Sequence, residues 1–465
     1  MEGFRKIGQI VPKNARDVTF SRLGLGFEKL DRGAFDPAKA YDKVAATGVK
    51  WIRIQSGWAR TETVKGVYDF AWLDEVVDNL LVRGLRPWIC LCYGNGLYSE
   101  MGKTVFGAVG VPPIFTKEEK QGWHNYVSAL TGHFAGRVSD FEIWNEPDGK
   151  WCWKTDVSGE QYGRFMMDTA KAIRQGQKDA YIIGGSVCMR DLHFFADALE
   201  TGAAKVIDAL TFHEYTPDES RVFERVRTLS ALCHRYNPNI EIIQGESGSQ
   251  SRRGGAGALN GGGWTEEKQA KQLLRHGVAD LLCGVKFSSY FSTMDMIEGL
   301  NGTVGDKSSY MDFGYFGILG AEFDENGVAT GTYTEKKSYY ALQNLASVFA
   351  GDVRQTDLPI IFLPEQSPLI FASDCTDPRM ISGGFTLSDG TPCFAYWNAA
   401  DLMTTSFAST VTMEIAGLGG SFRLIDPMSG AVFAVEGENI EKTGKNTYKL
   451  KHLPILDYPL LLVSE

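Results

Sequence analysis

What this chain has little of excludes several functions. Its 465 residues hold eight cysteines, at 90, 92, 152, 188, 233, 283, 375 and 393, with no Cys-x-x-Cys pair and no regular framework. A disulfide scaffold is excluded, and thiols in apolar runs act as small core residues, as expected in a reducing compartment. The seven histidines are scattered, without His-x-His or His-Glu-x-x-His spacing, so no metal site and no cofactor are implied. No cluster of Lys and Arg is long enough to track a phosphate backbone, and the formal charge is −10, which argues against a nucleic-acid partner.

Long hydrophobic runs are also missing. The first residues lack the apolar stretch of about 7–15 residues that a secretory leader needs, and no later segment approaches a membrane span. The expectation is a cytoplasmic protein with no membrane partner, although a mature form cut from its leader would read the same way. Assembly into a homo-oligomer stays open. No strand leads into a Gly-rich dinucleotide turn, and Ser247 lacks the Gly-x-Ser-x-Gly elbow of acyl transfer.

What is present is an ordinary globular composition, 43% hydrophobic and 22% charged, in a chain long enough for a barrel and an accessory domain. From about residue 21 to 350 short apolar runs alternate with amphipathic helices, which predicts parallel strands joined by crossover helices. The strands fall near 22–27, 50–55, 86–92, 140–145, 181–185, 208–213, 240–245 and 285–291, eight in all. Asp36-Pro37, Thr116 with Glu119, and Ser158 with Gln161 carry helix-start signals. Leu73, Val76, Val77, Leu80 and Leu81 form an apolar helix face that stops at Gly84. The fold expected is an α/β protein, a (β/α)8 TIM barrel over 21–350. Turn pairs such as Ser429-Gly430 then predict an antiparallel β-sandwich over 351–465, with residues 1–20 offering it a strand.

The long segments 93–116, 247–264 and 292–334 all leave strands, on the face where a barrel keeps its chemistry. The Gly-rich stretch 253–263 reads equally as a mobile lid or as a disordered surface loop. Two acids close strands on that face, Glu146 on the fourth and Glu246 on the seventh. Paired carboxyls suit glycoside hydrolysis, in which the leaving oxygen needs a proton and the anomeric carbon a negative partner.

The run Trp144-Asn145-Glu146-Pro147, with a Glu closing the seventh strand, resembles the clan A retaining glycosidases, named for their fourth- and seventh-strand glutamates. Trp51-Ile52-Arg53-Ile54, Gly66-Val67-Tyr68-Asp69-Phe70 and Leu73-Asp74 are similar to glycoside hydrolase family 39, which includes β-xylosidases and α-L-iduronidases. The resemblance implies Glu146 as acid/base, Glu246 as nucleophile and Asn145 as a donor to the sugar 2-hydroxyl. It also matches His213 and Tyr215 to positions that orient the nucleophile and its sugar. From the residues themselves, Arg53 at a strand tip is placed to hold Glu246 ionised.

Trp151, Trp153, Tyr93, Asn95 and Tyr98 are candidates for stacking or hydrogen bonding to a sugar. Tyr290 and Phe291 stand where clan members often carry a Trp at the end of strand eight. Arg252 and Arg253 are candidates for a uronic-acid carboxylate. The activity expected is retaining, exo-acting β-glycosidase action, β-xylosidase-like, on oligosaccharides or small glycosides. The alternatives are an endo-acting glycanase, a uronide-specific glycosidase, and a carbohydrate-binding barrel without catalysis.

Overall fold

The computed structural model describes residues 3–298, 312–363 and 379–464, so Cys375 lies outside the described residues. Strand β1 (Lys6–Gln9) precedes a closed barrel of eight parallel strands. They are β2 (Leu23–Gly26), β3 (Trp51–Gln55), β4 (Arg86–Leu91), β5 (Asp140–Ile143), β6 (Tyr181–Val187), β7 (Ala209–His213), β8 (Glu241–Ser247) and β9 (Ser288–Tyr290). β9 closes the ring by pairing Ser288 with Leu23 of β2. These strands read as short apolar runs because barrel interior and surrounding helices bury both of their faces.

The helix signals act locally as expected. Thr116 and Glu119 form a reciprocal capping box at the start of the helix Lys117–His133. Ser158 caps Gly159–Gly176 through the Gln161 N–H. Asp36 caps only a single tight turn, Pro37–Lys39, before the helix Tyr41–Ala46. Of the expected apolar face, Leu73, Val76, Val77 and Leu80 are buried in the helix Ala71–Leu81, which packs beside β4, and Leu81 is half-buried.

Inside the barrel the side chains lie in layers. At the floor Trp51 stacks on Phe287 with ring centres 4.1 Å apart, and Trp88 meets Phe287 edge-on. Above this apolar plug, Arg53, Glu142 and Thr211 form a polar layer with no exposure to solvent. Glu146 and Glu246 sit above it, at the C-terminal mouth.

The C-terminal region packs a seven-stranded antiparallel sheet against a four-stranded one. β1 is the edge of the larger sheet and pairs with Ala431–Val435. The segment 292–334 is not one irregular loop: its described part carries Met296–Ile297 paired with Phe313–Gly314, and Leu319–Phe323 paired with Ala329–Glu335. Cys90, Cys92, Cys152, Cys233 and Cys393 are buried thiols, and every described cysteine is free. Among the described residues no helix is long and apolar enough to cross a membrane.

A buried ion pair joins the sandwich to the barrel. Arg275 donates to Glu219 at 2.7 Å and to the Ala400 carbonyl at 2.9 Å, while the Trp397 indole donates to the other Glu219 oxygen at 2.5 Å. Removing one partner leaves a buried charge uncompensated, at a cost of about 3–5 kcal/mol. Glu219→Ala is therefore expected to lower the urea midpoint strongly, with Glu219→Gln less affected; an unchanged midpoint in equilibrium unfolding would contradict this.

Candidate active site

Arg53 and Glu142 organise the mouth from below. The Arg53 guanidinium donates from Nε and Nη2 to one oxygen of Glu142, at 2.8 and 2.6 Å, and Thr211 Oγ1 donates to the other at 2.6 Å. Nη2 also reaches Asn145 Oδ1 at 2.8 Å, and Nη1 donates to Glu246 Oε1. A fixed fork of donors suits this, because one planar cation aligns three groups from β5, its C-terminal end and β8.

Glu246 receives a second hydrogen bond, from the Tyr215 hydroxyl to Oε2 at 2.7 Å. Burial alone would push its carboxyl up, but the charges of His213 and Arg53 and the Tyr215 hydrogen bond outweigh it and hold the group below the usual carboxylate range. Glu146 accepts from His213 Nδ1 at 2.8 Å and from the Trp151 indole N–H. His213 is fully enclosed, which disfavours its charge, yet the carboxylates of Glu246 and Glu146 raise it above an ordinary imidazole. Its Nε2 faces Ser186 Oγ at 3.1 Å, and the absence of a side chain at Gly245 leaves room for the ring.

The backbone is strained here. Trp144, Glu146 and Ser186 all hold positive φ, at 71°, 44° and 54°, a region that side-chain-bearing residues rarely occupy. Such outliers cluster at ligand-handling sites, where surrounding contacts hold them in place.

Oxygen atoms of Glu146 and Glu246 and a nitrogen of His213 lie within 4.8 Å of one another. The histidine spacing in the sequence gave no sign of such a trio, because its members come from three strands. A metal ion could use donors so placed. The hydrogen bonds do not favour one: Arg53 and Tyr215 already occupy Glu246, and His213 spends Nδ1 on Glu146, whereas a ligand nitrogen must be free of its proton.

Above the trio opens a cavity of about 400 Å³. Of the residues expected there, Glu146, Glu246, Asn145, Tyr215, Tyr93, Trp151 and Phe291 line it, while Arg53 and His213 support it from below. Other expectations are corrected. Trp153 is buried against Trp144, Tyr162 and Phe165, and its indole donates to Gln161, so it props the loop instead of meeting a ligand. Asn95 is buried and ties its own loop to the Glu62 carbonyl, and Tyr98 stacks on Trp58. Tyr290 is buried outside the cavity lining, because adjacent strand residues face opposite sides and Phe291 takes the inward side. Arg252 stacks on Tyr315, and neither it nor Arg253 lines the cavity.

Several lining residues escaped sequence reasoning, among them Glu28, Lys29, Arg32 and Glu298. Glu28 and Lys29 directly follow the first barrel strand, and that position was the available signal. Burial and the neighbouring Glu246 charge push the Glu28 carboxyl up to about 8, and its Oε2 has no hydrogen-bond partner. The Gly-rich stretch is anchored at its start: Gln250 donates to the carbonyls of Ala256 and Ala258 at 2.8 and 3.1 Å, and Gly257 and Ala258 line the cavity.

Residues 40–222, which carry Arg53, Glu146, His213 and Tyr215, match the family model described as glycosyl hydrolases family 39. The chain is family 39-like. It is 27% identical over 165 residues to a β-xylosidase of Geobacillus stearothermophilus, covering 33% of this chain and 32% of that protein. A β-xylosidase of Caldicellulosiruptor saccharolyticus is 26% identical over 192 residues, 37% of each chain. The matches thus span about a third of the length of these curated relatives. Among solved structures, a family 39 glycoside hydrolase of the gut symbiont Bacteroides cellulosilyticus WH2 superposes with a TM-score of 0.66 at 17% identity, covering 96% of this chain and 81% of that one. A monomeric β-xylosidase of Caulobacter crescentus CB15 gives 0.59 at 16%, covering 99% and 97%. At these identities the structural likeness establishes a shared barrel-and-sandwich fold.

The Tyr215 hydrogen bond favours the ionised form of Glu246, so its loss must raise that carboxyl. A hydrogen bond to a charged group is worth about 1.5–3 kcal/mol, or roughly one pH unit or more. Tyr215→Phe is expected to move the Glu246 titration upward by that amount in carbon-13 NMR; no shift would contradict the assigned bond.

Proposed function

We propose that this family 39-like barrel is a retaining β-glycosidase that removes terminal sugars by double displacement, with Glu246 as nucleophile and Glu146 as acid/base. The observation that carries the reading is the separation of the two carboxylates, whose facing oxygens lie within 4.8 Å. Inverting enzymes need about 6.5–9.5 Å to hold a water between the groups, whereas about 5–5.5 Å allows direct attack.

In the first step a Glu246 oxygen attacks the anomeric carbon as the glycosidic C–O bond breaks, and the Glu146 proton passes to the departing oxygen. Glu246 becomes an ester and Glu146 a carboxylate. In the second step Glu146 takes a proton from water, the water oxygen bonds to the anomeric carbon, and Glu246 leaves as a carboxylate. The two roles match the environments: cations and a hydroxyl keep Glu246 ionised, and His213 sits between the pair where negative charge moves from one to the other. Asn145, fixed through its oxygen by Arg53, donates one amide N–H to the Cys152 sulfur at 3.3 Å and keeps the other for the sugar 2-hydroxyl.

A β-xyloside is the first glycone to try, because both relatives compared above bear the name β-xylosidase. Exo action is supported by the size of the cavity, about 400 Å³, near the lower end for small-molecule pockets. Lys29 and Arg32 in the wall favour including a glucuronide, although both already pair, with Glu298 and Asp31. Schiff-base chemistry, which needs a lysine at the mouth of the barrel, finds no support in Lys286, which pairs with Glu241 at 2.6 Å and does not line the cavity.

A panel of aryl β-glycosides (xyloside, glucoside, galactoside, glucuronide) tests the reading. Glu146→Gln is expected to lose about 10²–10⁴-fold in kcat on poor leaving groups and far less on activated aryl ones. Glu246→Gly is expected to be inactive alone and to yield a glycosyl azide of inverted configuration when azide is added. Wild type and both variants equally slow on every substrate would defeat the proposal.

A further inference from the structure

The lining of the cavity is divided by polarity, and the division follows the order of the barrel strands. Glu28, Lys29, Arg32 and Gln55 come from the ends of β2 and β3, whereas Trp151 follows β5 and Met189 follows β6. Trp151 and Met189 are 36% and 48% exposed, high values for large apolar side chains beside reacting groups. The Trp151 indole donates to Glu146 Oε2, which fixes this pair on the side where a leaving group would receive its proton.

The backbone carrying Met189 and the ring of Trp151 are both held in place. Asp148 accepts from the backbone N–H of Cys188 at 3.0 Å and of Met189 at 2.7 Å, and the buried Arg225 donates to the Met189 carbonyl. Gly149 is required beneath the indole, since a Cβ there would lie 2.4 Å from the ring. Two exposed apolar groups held in a rigid frame at the mouth of a polar cavity mark a surface that a ligand covers. Among the described lining residues on this side, Glu146, Asn145, Tyr93 and the thiols of Cys152 and Cys188 offer polar side-chain atoms, and Asn145 and Tyr93 already engage the Cys152 sulfur, at 3.3 and 3.6 Å. A second sugar lying there would leave most of its hydroxyls without partners, which binding sites penalise strongly.

We propose that the leaving-group side of the cavity selects an apolar aglycone, an alkyl or aryl group packed between Trp151 and Met189, so that the preferred substrates are glycosides of hydrophobic alcohols or phenols. The inference rests on Glu146 and Glu246 being the catalytic pair. A thioether side chain suits the role, because it is flexible, polarisable and adapts to aliphatic or aromatic partners.

The test compares the hexyl glycoside, the methyl glycoside and the disaccharide of whichever glycone the panel identifies. An alkanol is a poorer leaving group than a sugar hydroxyl, so a higher kcat/KM on the hexyl compound must come from contacts with the chain. Wild type is expected to favour the hexyl glycoside at least tenfold over both others. Met189→Ser is expected to cut the hexyl-to-methyl ratio about tenfold, the worth of roughly two buried methylenes, while Met189→Leu preserves it. Preference for the disaccharide, or a ratio unmoved by Met189→Ser, overturns the inference. Labelling with a 2-deoxy-2-fluoroglycoside separates the two readings: an ester on Glu246 upholds the double displacement whatever the aglycone preference, and no ester with no turnover removes both.

Discussion

A single buried guanidinium sets the geometry of the whole mouth. Arg53 has no exposure to solvent, and its nitrogens face Glu142, Glu246 and Asn145, with Glu28 at 3.5 Å. A charge so enclosed is tolerable only when it is paired and hydrogen-bonded, so the carboxylates around it cannot drift without leaving it exposed to a low-dielectric interior. The partners come from β2, β5 and β8 and the loops beyond them, and the cation therefore locks strands on opposite sides of the barrel into register. Trp88 lies beneath it at 5.5 Å, joining this polar layer to the aromatic floor.

More negative charge surrounds Arg53 than it can neutralise alone. His213 answers part of the excess, standing 2.8 Å from Glu146 and 3.6 Å from Glu246. Glu28 is left without a cation of its own, which is why burial and its neighbour raise its carboxyl. Glu28 and Glu246 in one cavity wall thus differ in character because their surroundings differ: burial and the neighbouring charge push the first up, while His213, Arg53 and Tyr215 hold the second down.

The barrel was readable from sequence because each of its strands is a short apolar run bounded by turn residues, and helix starts such as Thr116 with Glu119 carry their own chemistry. Glu146 and Glu246 were readable because strand ends are where loops gather polar groups. Glu142 was not: four residues before Glu146 it looks like any strand residue, and only closure of the barrel turns it inward onto Arg53. Trp153 and Asn95 misled for the opposite reason. They lie in irregular loops, where no period tells which way a side chain faces, and each turned toward its own loop's support. The polar wall from Glu28 to Arg32 depends on a left-handed residue at Lys29, a local bend that composition does not announce.

Pairing of β1 with Ala431–Val435 places more than four hundred residues between two neighbouring strands of one sheet. Contacts so remote along the chain form late, since a very large loop must close before they contribute. During synthesis the barrel can assemble as its units emerge, but the larger sandwich sheet must wait for its final strands while the leading segment stays unpaired. Assembly of this sheet is therefore not strictly vectorial, and β1 is among the last elements to find its place.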